Sequence, residues 1–490
     1  MKTSSFTNPS NSFSGNVLKL VTGSVLAQAL GILVMPVVTR FFAPEAFGIV
    51  AIFSSITGIV GAVVCLRYNF ALMIPESNEE AVNILGVCFV AVILITTLSA
   101  LFAWLGSEII ISLLHAPELK NYLWLIPVTI FVQGLFLALN YWNSRTKHFG
   151  RLSVAQIVTS VTTQVTKLTA GFVGFVSGGV LIGTTVLGSI VATAMLGGQI
   201  LRDDKKFFFD HIRWKDMVKG CVRFRKFPLI DTWGALMNAI SWQLPALMLS
   251  YFFSTDIVGY YSLGFTAIAA PLGIVTSALS QVFYQKTCDE KKVKGNNGEL
   301  VEKLMDNLIF IGLFPIIVLA IIGEEVFTVI FGGRWFEAGR YMQILAPWVF
   351  FWFISSPLST LFSVYERQGS ALSVHSLIFI TRILSLYIGG LYQNVYLALG
   401  LFSGTGIIAY GLVAAWNIRL SHASGRKIVT ILLKYALYAL PVVLSLYAAK
   451  YTFQLGTFIV LSSAVAMGIL YLFIFKDKYY SIIKAAGMSK

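Results

Sequence analysis

The chain has 490 residues, of which 57% are hydrophobic and only 12% are charged, and its mean hydropathy is +0.79. Its net charge of +14 would suggest nucleic acid as a partner for a soluble protein, but here the charges lie in short loops between long apolar stretches. No loop is long enough to form a soluble domain, so nucleic-acid binding is not expected. We predict an all-α polytopic membrane protein whose function lies between its helices.

Fourteen apolar stretches are long enough to cross a bilayer, since about 30 Å of hydrocarbon requires about 20 mostly apolar residues in an α-helix. The polar leader Met1–Asn16 is unlike a cleaved signal peptide, so the first stretch is expected to persist as a helix. In chain order the stretches are Leu18–Val38, Phe47–Val64, Ile84–Leu105, Leu123–Tyr141, Val154–Phe175, Val180–Leu201, Leu229–Tyr251, Val258–Val282, Leu304–Ile322, Met342–Ser363, Leu372–Leu391, Val395–Trp416, Ile431–Ala449 and Gly456–Phe475.

The Lys and Arg residues outside these stretches fall mainly on one side of the membrane. With the amino terminus in the cytoplasm, 29 of them are cytoplasmic, including Lys2, Lys484 and Lys490, and five are external. Positively charged loops are retained in the cytoplasm. We therefore predict a multi-pass protein of the cell inner membrane with both termini in the cytoplasm.

The loop between the sixth and seventh stretches, Arg202–Pro228, combines nine cations with aromatic residues. This pattern fits a helix that lies in the membrane interface on anionic lipid headgroups and helps to set the topology. The four cysteines of the chain are scattered, without the spacing of metal ligands, and none lies in an external loop. A disulfide, a metal site and a cofactor are therefore not expected.

The second half of the chain repeats the first weakly. Phe41–Gly48 and Phe252–Gly259 each contain two aromatic residues, an acidic residue and a glycine, and they are 211 positions apart. Two further matches are in register, Leu152–Val154 with Leu372–Val374 and Tyr122–Pro127 with Tyr341–Pro347. We predict two six-helix lobes, residues 1–201 and 229–417, joined by the linker 202–228 and followed by a helix pair and tail, 418–490. Internal repeats are a common plan for secondary transporters, with the substrate between the lobes.

Two cations lie deep within predicted spans, Lys167 in the fifth and Arg382 in the eleventh. Each costs about 2.5–3.5 kcal/mol near the centre of a helix, and no Asp or Glu lies at a span centre to compensate them. They are expected to face water, a bound anion or both, in a cavity suited to an anionic headgroup. In the alternative interpretation Lys167 reaches the interface and Arg382 binds backbone carbonyls. Candidate supporting polar residues are Gln164, His375, Asn238 and Asp231.

Several motifs resemble those of one transporter family, the Wzx-type oligosaccharide flippases of the multidrug/oligosaccharidyl-lipid/polysaccharide exporter superfamily. The resemblance covers almost the whole chain. The motifs are Thr39–Gly48, Leu66–Ala71, Arg223–Leu229, Gln243–Pro245, Ser280–Tyr284 and Trp335–Gly339.

This resemblance implies two lobes around a cationic cavity. It also implies movement of an undecaprenyl-diphosphate-linked oligosaccharide from the cytoplasmic to the periplasmic leaflet, with membrane lipids and the polysaccharide polymerase machinery as partners. Arg40 and Arg67 match motif positions at helix ends and become further candidates for substrate binding. The product (O-antigen, capsule or exopolysaccharide) and the coupling ion (proton or sodium) are left open. So is the role of the last two helices, which either form a groove for a lipid tail or only pack.

Two other classes of protein compete with this interpretation. A drug antiporter of the same superfamily is expected to hold intramembrane carboxylates, which the span centres lack. A membrane enzyme, such as a polysaccharide polymerase, a ligase or a lipid-linked glycosyltransferase, usually has a large external loop with catalytic residues. The longest external loops here, near Gly106–Tyr122 and Gly323–Tyr341, contain no acidic pair spaced for a metal ion. We therefore predict a transporter rather than an enzyme.

Overall fold

A computed structural model of the protein describes residues 13–294 and 296–478. The first part of the predicted leader, including Lys2, and the tail cations Lys484 and Lys490 lie outside these residues. The described residues form eighteen α-helices, joined in places by short 3-10 and π segments, and contain no β-strand. The helices are α1 (Phe13–Phe41), α2 (Pro44–Gly61), α3 (Tyr68–Ala71), α4 (Asn78–Leu105), α5 (Ser107–Leu114), α6 (Leu125–Arg145), α7 (Phe149–Val173), α8 (Gly178–His211), α9 (Trp214–Arg223), α10 (Thr232–Phe252), α11 (Thr255–Lys294), α12 (Gly298–Phe331), α13 (Phe336–Ser355), α14 (Thr360–Val364), α15 (Gln368–Leu391), α16 (Val395–Leu420), α17 (Gly425–Tyr447) and α18 (Thr457–Ile474).

Thirteen of the fourteen predicted stretches each correspond to one long helix, and the stretch Met342–Ser363 covers α13, the 3-10 turn Pro357–Ser359 and α14. In the described part of the chain, twelve helical segments are both long enough and apolar enough to cross a membrane. Two more helices, α7 with 25 residues and α10 with 21, are long enough but less apolar. The prediction of an all-α polytopic membrane protein is confirmed.

Several helix ends in the described part of the chain are capped by a side chain or by a glycine. The side chains of Ser77, Asn394 and Ser424 each accept a hydrogen bond from an amide three residues later and so begin α4, α16 and α17. Gly174 ends α7 with a φ of 92°, in the left-handed region that a glycine adopts without strain. These contacts satisfy backbone groups that helix ends leave open.

The chain divides into two compact units, one ending at Gly259 and the other beginning at Tyr260. In the first unit α7 packs between α1 and α8, α2 packs on α8 and α10, and α4 packs on α6 and α9. In the second unit α16 packs between α13 and α15, and α12 contacts α13, α17 and α18. The two predicted lobes were defined from the internal repeat of the sequence and not from helix packing, and they remain a prediction. The repeat would assign α10 to the second lobe. The structure places α10 in the first unit instead, because α10 packs on α2.

The last two long helices are attached to α12 at both of its ends. Tyr435 of α17 donates a hydrogen bond of 3.0 Å to Asp306, and Lys478 binds the same carboxylate at 2.5 Å. At the other end Lys450 binds Glu325 at 2.8 Å. Between them Tyr471 of α18 donates to the Phe310 carbonyl at 3.2 Å. Residues 418–478 are therefore an integral part of the second unit.

Candidate functional site

Lys167 lies in the carboxyl-terminal half of α7, within the first unit. Its side chain is half-buried. Among the described residues its ammonium group makes no hydrogen bond and no ion pair. A charged group at this depth in a membrane requires water or an anion, because hydrocarbon does not solvate it. Among the described residues, nothing occupies the Lys167 ammonium group, which therefore remains available to bind water or an anion.

The polar residues around Lys167 serve partly in helix packing. Ser160 donates a hydrogen bond of 2.7 Å to the Ala27 carbonyl of α1. The Gln164 amide lies beside Gly31 of α1, 3.6 Å from where a Cβ on that glycine would stand. Thr163 lies on the other side, against Gly188 of α8. The polar face of α7 formed by Ser160 and Gln164 is thus largely covered by α1, and Lys167 lies one turn beyond it.

Arg382, the second deep cation, is enclosed within the second unit. Its side chain is only 5% exposed, and its Nη2 atom donates a hydrogen bond of 3.1 Å to the Tyr410 hydroxyl. Its guanidinium carbon lies 5.8 Å from the ring centroid of Phe402, within the range of a cation–π contact. An anion can reach Arg382 only if this packing rearranges. Tyr410 and Phe402 were not predicted, since aromatic residues eight positions apart in an apolar span give no functional signal.

Two predicted residues, Arg67 and Asp231, are brought together. The Arg67 Nε atom and an Asp231 carboxylate oxygen are 2.7 Å apart, although 164 positions separate the residues. Arg67 has a φ of 64°, and its guanidinium lies 4.1 Å from the ring centroid of Phe70. Asp231 ends the π-helical turn Phe227–Asp231 that precedes α10. The pair therefore ties the turn after α2 to the start of α10.

We expect Arg67→Ala and Asp231→Ala to be coupled in stability by about 0.2–1 kcal/mol, because the side chains are 26% and 47% exposed and water screens the pair. A double-mutant cycle from unfolding in detergent measures this term. The charge-swapped protein, with Arg67→Asp and Asp231→Arg, should recover part of the loss seen in each single reversal. Strictly additive effects of the two alanine substitutions would contradict the pairing.

The remaining candidates lie apart from these contacts. Arg40, in the last turn of α1, and Asn238, in α10, are exposed side chains of the first unit. His375 is an exposed residue of α15 in the second unit, two helical turns before Arg382. The roles of these three residues in substrate binding remain predictions.

The two copies of the repeated motif, Phe41–Gly48 and Phe252–Gly259, contact each other where α2 and α11 begin. A methyl group added to Gly48 would overlap the Thr255 carbonyl oxygen, and one added to Gly259 would overlap the Pro44 carbonyl oxygen. The two contacts are equivalent under the repeat, since Pro44 matches Thr255 and Gly48 matches Gly259. About two helical turns further along α2, Ser55 donates to the Gln243 side chain of α10 at 3.3 Å. The repeated motif thus encodes a close helix crossing, which the sequence comparison alone did not suggest.

A family model described as "Polysaccharide biosynthesis protein" matches residues 37–340. No curated protein matches the sequence. A solved structure of the lipid II flippase MurJ in an inward closed conformation is similar, with a TM-score of 0.74, 16% identity, and coverage of 95% of this chain and 99% of that one.

Two more distant structures share the arrangement of helices. A MOP superfamily transporter from Pyrococcus furiosus has a TM-score of 0.51 and 14% identity, covering 83% of this chain and 96% of its own. A MATE transporter from Vibrio cholerae has a TM-score of 0.51 and 13% identity, covering 82% of this chain and 95% of its own. At these identities the likeness concerns the fold.

Proposed function

The chain belongs to the polysaccharide biosynthesis protein family, and from this premise we propose that it is a flippase for an undecaprenyl-diphosphate-linked oligosaccharide. It moves this lipid from the cytoplasmic to the periplasmic leaflet of the inner membrane by alternating access of two lobes. The product serves a surface polysaccharide: O-antigen of lipopolysaccharide, capsule or exopolysaccharide. The similar MurJ structure is that of a lipid II flippase, which supports transport of a lipid-linked substrate on this fold.

The observation that carries the proposal is the environment of Lys167. A lysine in a membrane-embedded helix that has no protein partner among the described residues suits a ligand with a mobile negative charge. A diphosphate supplies that charge, whereas the polyprenyl tail is apolar and remains in lipid. Binding by a single ammonium point charge places no demand on bidentate geometry.

A drug antiporter of the same superfamily is the second candidate, because a MATE transporter has the same fold. It would take cationic compounds rather than an anion. The sequence places Lys167 and Arg382, and no carboxylate, deep in spans, which favours an anionic substrate. An enzyme would change the chemical structure of the glycan, whereas a flippase changes only the leaflet in which the glycan lies.

The decisive experiment compares a deletion strain with a strain complemented by the wild-type gene. Lipid-linked glycans are extracted, their sugar composition is determined, and their leaflet is assigned with an impermeant probe. We expect complete lipid-linked oligosaccharide to accumulate on the cytoplasmic leaflet. Truncated or unpolymerised glycan that still reaches the periplasmic leaflet would indicate an enzyme. Unchanged glycan export with altered sensitivity to cationic compounds would indicate a drug antiporter.

The proposed topology is tested at the two ends of α11. In a cysteine-free protein, Ser254→Cys should react with an impermeant thiol reagent added to the periplasmic side, and Asn296→Cys should react only after the membrane is opened. Both positions are exposed, whereas the neighbouring Asn297 is fully buried and unsuitable for labelling. Periplasmic labelling of Asn296→Cys would contradict the predicted orientation and the cytoplasmic placement of both termini.

A further inference from the structure

The short helix α9, Trp214–Arg223, connects α8 to α10 and is fixed against α4. With ten residues it is too short to cross a bilayer, which requires about 20. Its Met217 and Gly220 are buried. A Cβ on Gly220 would stand 2.7 Å from the Ile84 side chain, and a Cβ on Gly86 would stand 3.0 Å from the Met217 side chain. Both partners belong to the first turns of α4, a membrane-spanning helix. The helix therefore lies at the edge of the hydrocarbon region.

Polar contacts set the rotation of α9 about its own axis. Asn83 of α4 donates to the His211 carbonyl and accepts from the Arg213 amide, both at 2.9 Å, just before α9 begins. The Tyr68 hydroxyl donates to the Cys221 carbonyl at 3.1 Å, and Arg223 forms an ion pair with Glu80 at the end of the helix. Because α9 is held at both ends, the side chains that point away from α4 form a defined surface.

This outward surface consists of two parallel stripes. Trp214, Val218 and Val222 are 70%, 46% and 59% exposed, and their spacing of four residues places them on one face of the helix. The residues that follow each of them are Lys215, Lys219 and Arg223, which are also exposed. Arg223 lies at the edge of this surface, since it is paired with Glu80 of α4. A shift of one residue turns a helix by about 100°, so the basic stripe lies beside the apolar stripe and opposite part of the buried face.

We propose that these two stripes, which we call the α9 surface, bind anionic phospholipid of the leaflet that α9 faces. The apolar stripe enters the boundary between headgroups and acyl chains, and the basic stripe contacts the phosphate groups. Three exposed apolar side chains are costly in water and favourable in this layer. Between Arg213 and Lys226 there are six cations and one carboxylate, Asp216, and this charge complements an anionic lipid surface.

The ion pairs on α9 leave this charge available. Lys219 binds Asp216 at 2.9 Å, with side chains 67% and 41% exposed, and the pair of Arg223 with Glu80 is also on the surface. Exposed pairs of this kind are weak and screened. A lipid phosphate can therefore share these cations.

The test uses the full-length protein without native cysteines, carrying an environment-sensitive fluorophore at Val218→Cys or, as a control outside the α9 surface, at the exposed loop position Asn296→Cys. Each protein is reconstituted into phosphatidylcholine vesicles with or without phosphatidylglycerol. We expect the probe at position 218 to show blue-shifted emission, strong quenching by doxyl-labelled lipid and weak quenching by acrylamide. The probe at position 296 should show the reverse, and the blue shift at position 218 should increase with phosphatidylglycerol.

A charge variant separates lipid recognition from simple burial. Lys215→Gln combined with Lys219→Gln should abolish the phosphatidylglycerol dependence at position 218, whereas Lys205→Gln combined with Lys206→Gln, on α8, should retain it. Equal acrylamide quenching at positions 218 and 296 would overturn the proposal. So would a signal at position 218 that is identical with and without phosphatidylglycerol. Neither result bears on whether the protein transports a lipid-linked oligosaccharide.

Discussion

Replacing Lys167 with Ala is expected to reduce glycan export by about tenfold to a hundredfold, because a charge-assisted contact contributes about 1.5–3 kcal/mol. The loss should appear at unchanged protein level and membrane insertion, since no hydrogen bond or ion pair among the described residues depends on this ammonium group. Export is measured as surface polysaccharide per cell in a deletion strain that carries the variant.

Two control substitutions make this result specific. Lys167→Arg keeps the charge and should retain partial export, although the two cations differ in geometry. Thr169→Ala changes an exposed side chain of the same helix and should export normally. Wild-type export by Lys167→Ala would leave only the interpretation in which this lysine reaches the interface, and would remove the main support for a cationic binding site.

A different pair of substitutions tests Arg382, because its guanidinium group already donates a hydrogen bond to the Tyr410 hydroxyl. Arg382→Ala removes both the charge and the contact with Tyr410, whereas Tyr410→Phe removes only the hydrogen bond. If Arg382 binds substrate during transport, the first substitution should abolish export and the second should lower stability with little effect on export. If Arg382→Ala and Tyr410→Phe lowered export by the same amount and stability by the same amount, Arg382 would be assigned to helix packing.

Gly48→Leu and Gly259→Leu are expected to lower stability by about 1–3 kcal/mol each, because overpacked side chains force helices apart. At both positions even one added carbon would overlap a carbonyl of the facing helix. The double substitution should cost less than the sum of the single ones, since both disrupt the same crossing. Thermal unfolding in detergent measures these effects.

Gly273→Leu is the matched control for the glycine crossing. This glycine lies in α11, as Gly259 does, but a Cβ added to it meets no atom within 4 Å. The free energy of unfolding of this variant should lie within a few tenths of a kcal/mol of the wild-type value, as is usual for surface substitutions. A loss at Gly273→Leu as large as that at Gly259→Leu would show that leucine in α11 is harmful regardless of the crossing.

Hydropathy, charge bias and motifs were sufficient to predict the class of the molecule. Every predicted stretch corresponds to helical structure, because a span needs both length and apolar composition and few other structures supply both. The family model confirms that the chain belongs to a polysaccharide biosynthesis family, and the MurJ-like structure confirms the fold. The narrower Wzx-type assignment remains part of the proposed function.

Tertiary contacts around the candidate residues were beyond the reach of the sequence. Arg67 and Asp231 lie far apart in the chain, and their pairing follows from how α10 packs against the first helices. The same periodicity that identifies a polar face on α7 cannot tell whether water or another helix covers it, and α1 covers part of it. Tyr410 became the partner of Arg382 because α15 and α16 pack together.

The crossing of α2 and α11 has the form of an isologous contact, in which the same patch supplies both sides. Pro44 faces Gly259 while Thr255, its counterpart in the repeat, faces Gly48. Each copy of the motif therefore supplies one carbonyl oxygen and one glycine to the crossing. A bulky residue at either glycine would separate the same two helix starts, so the crossing constrains both copies of the motif at once.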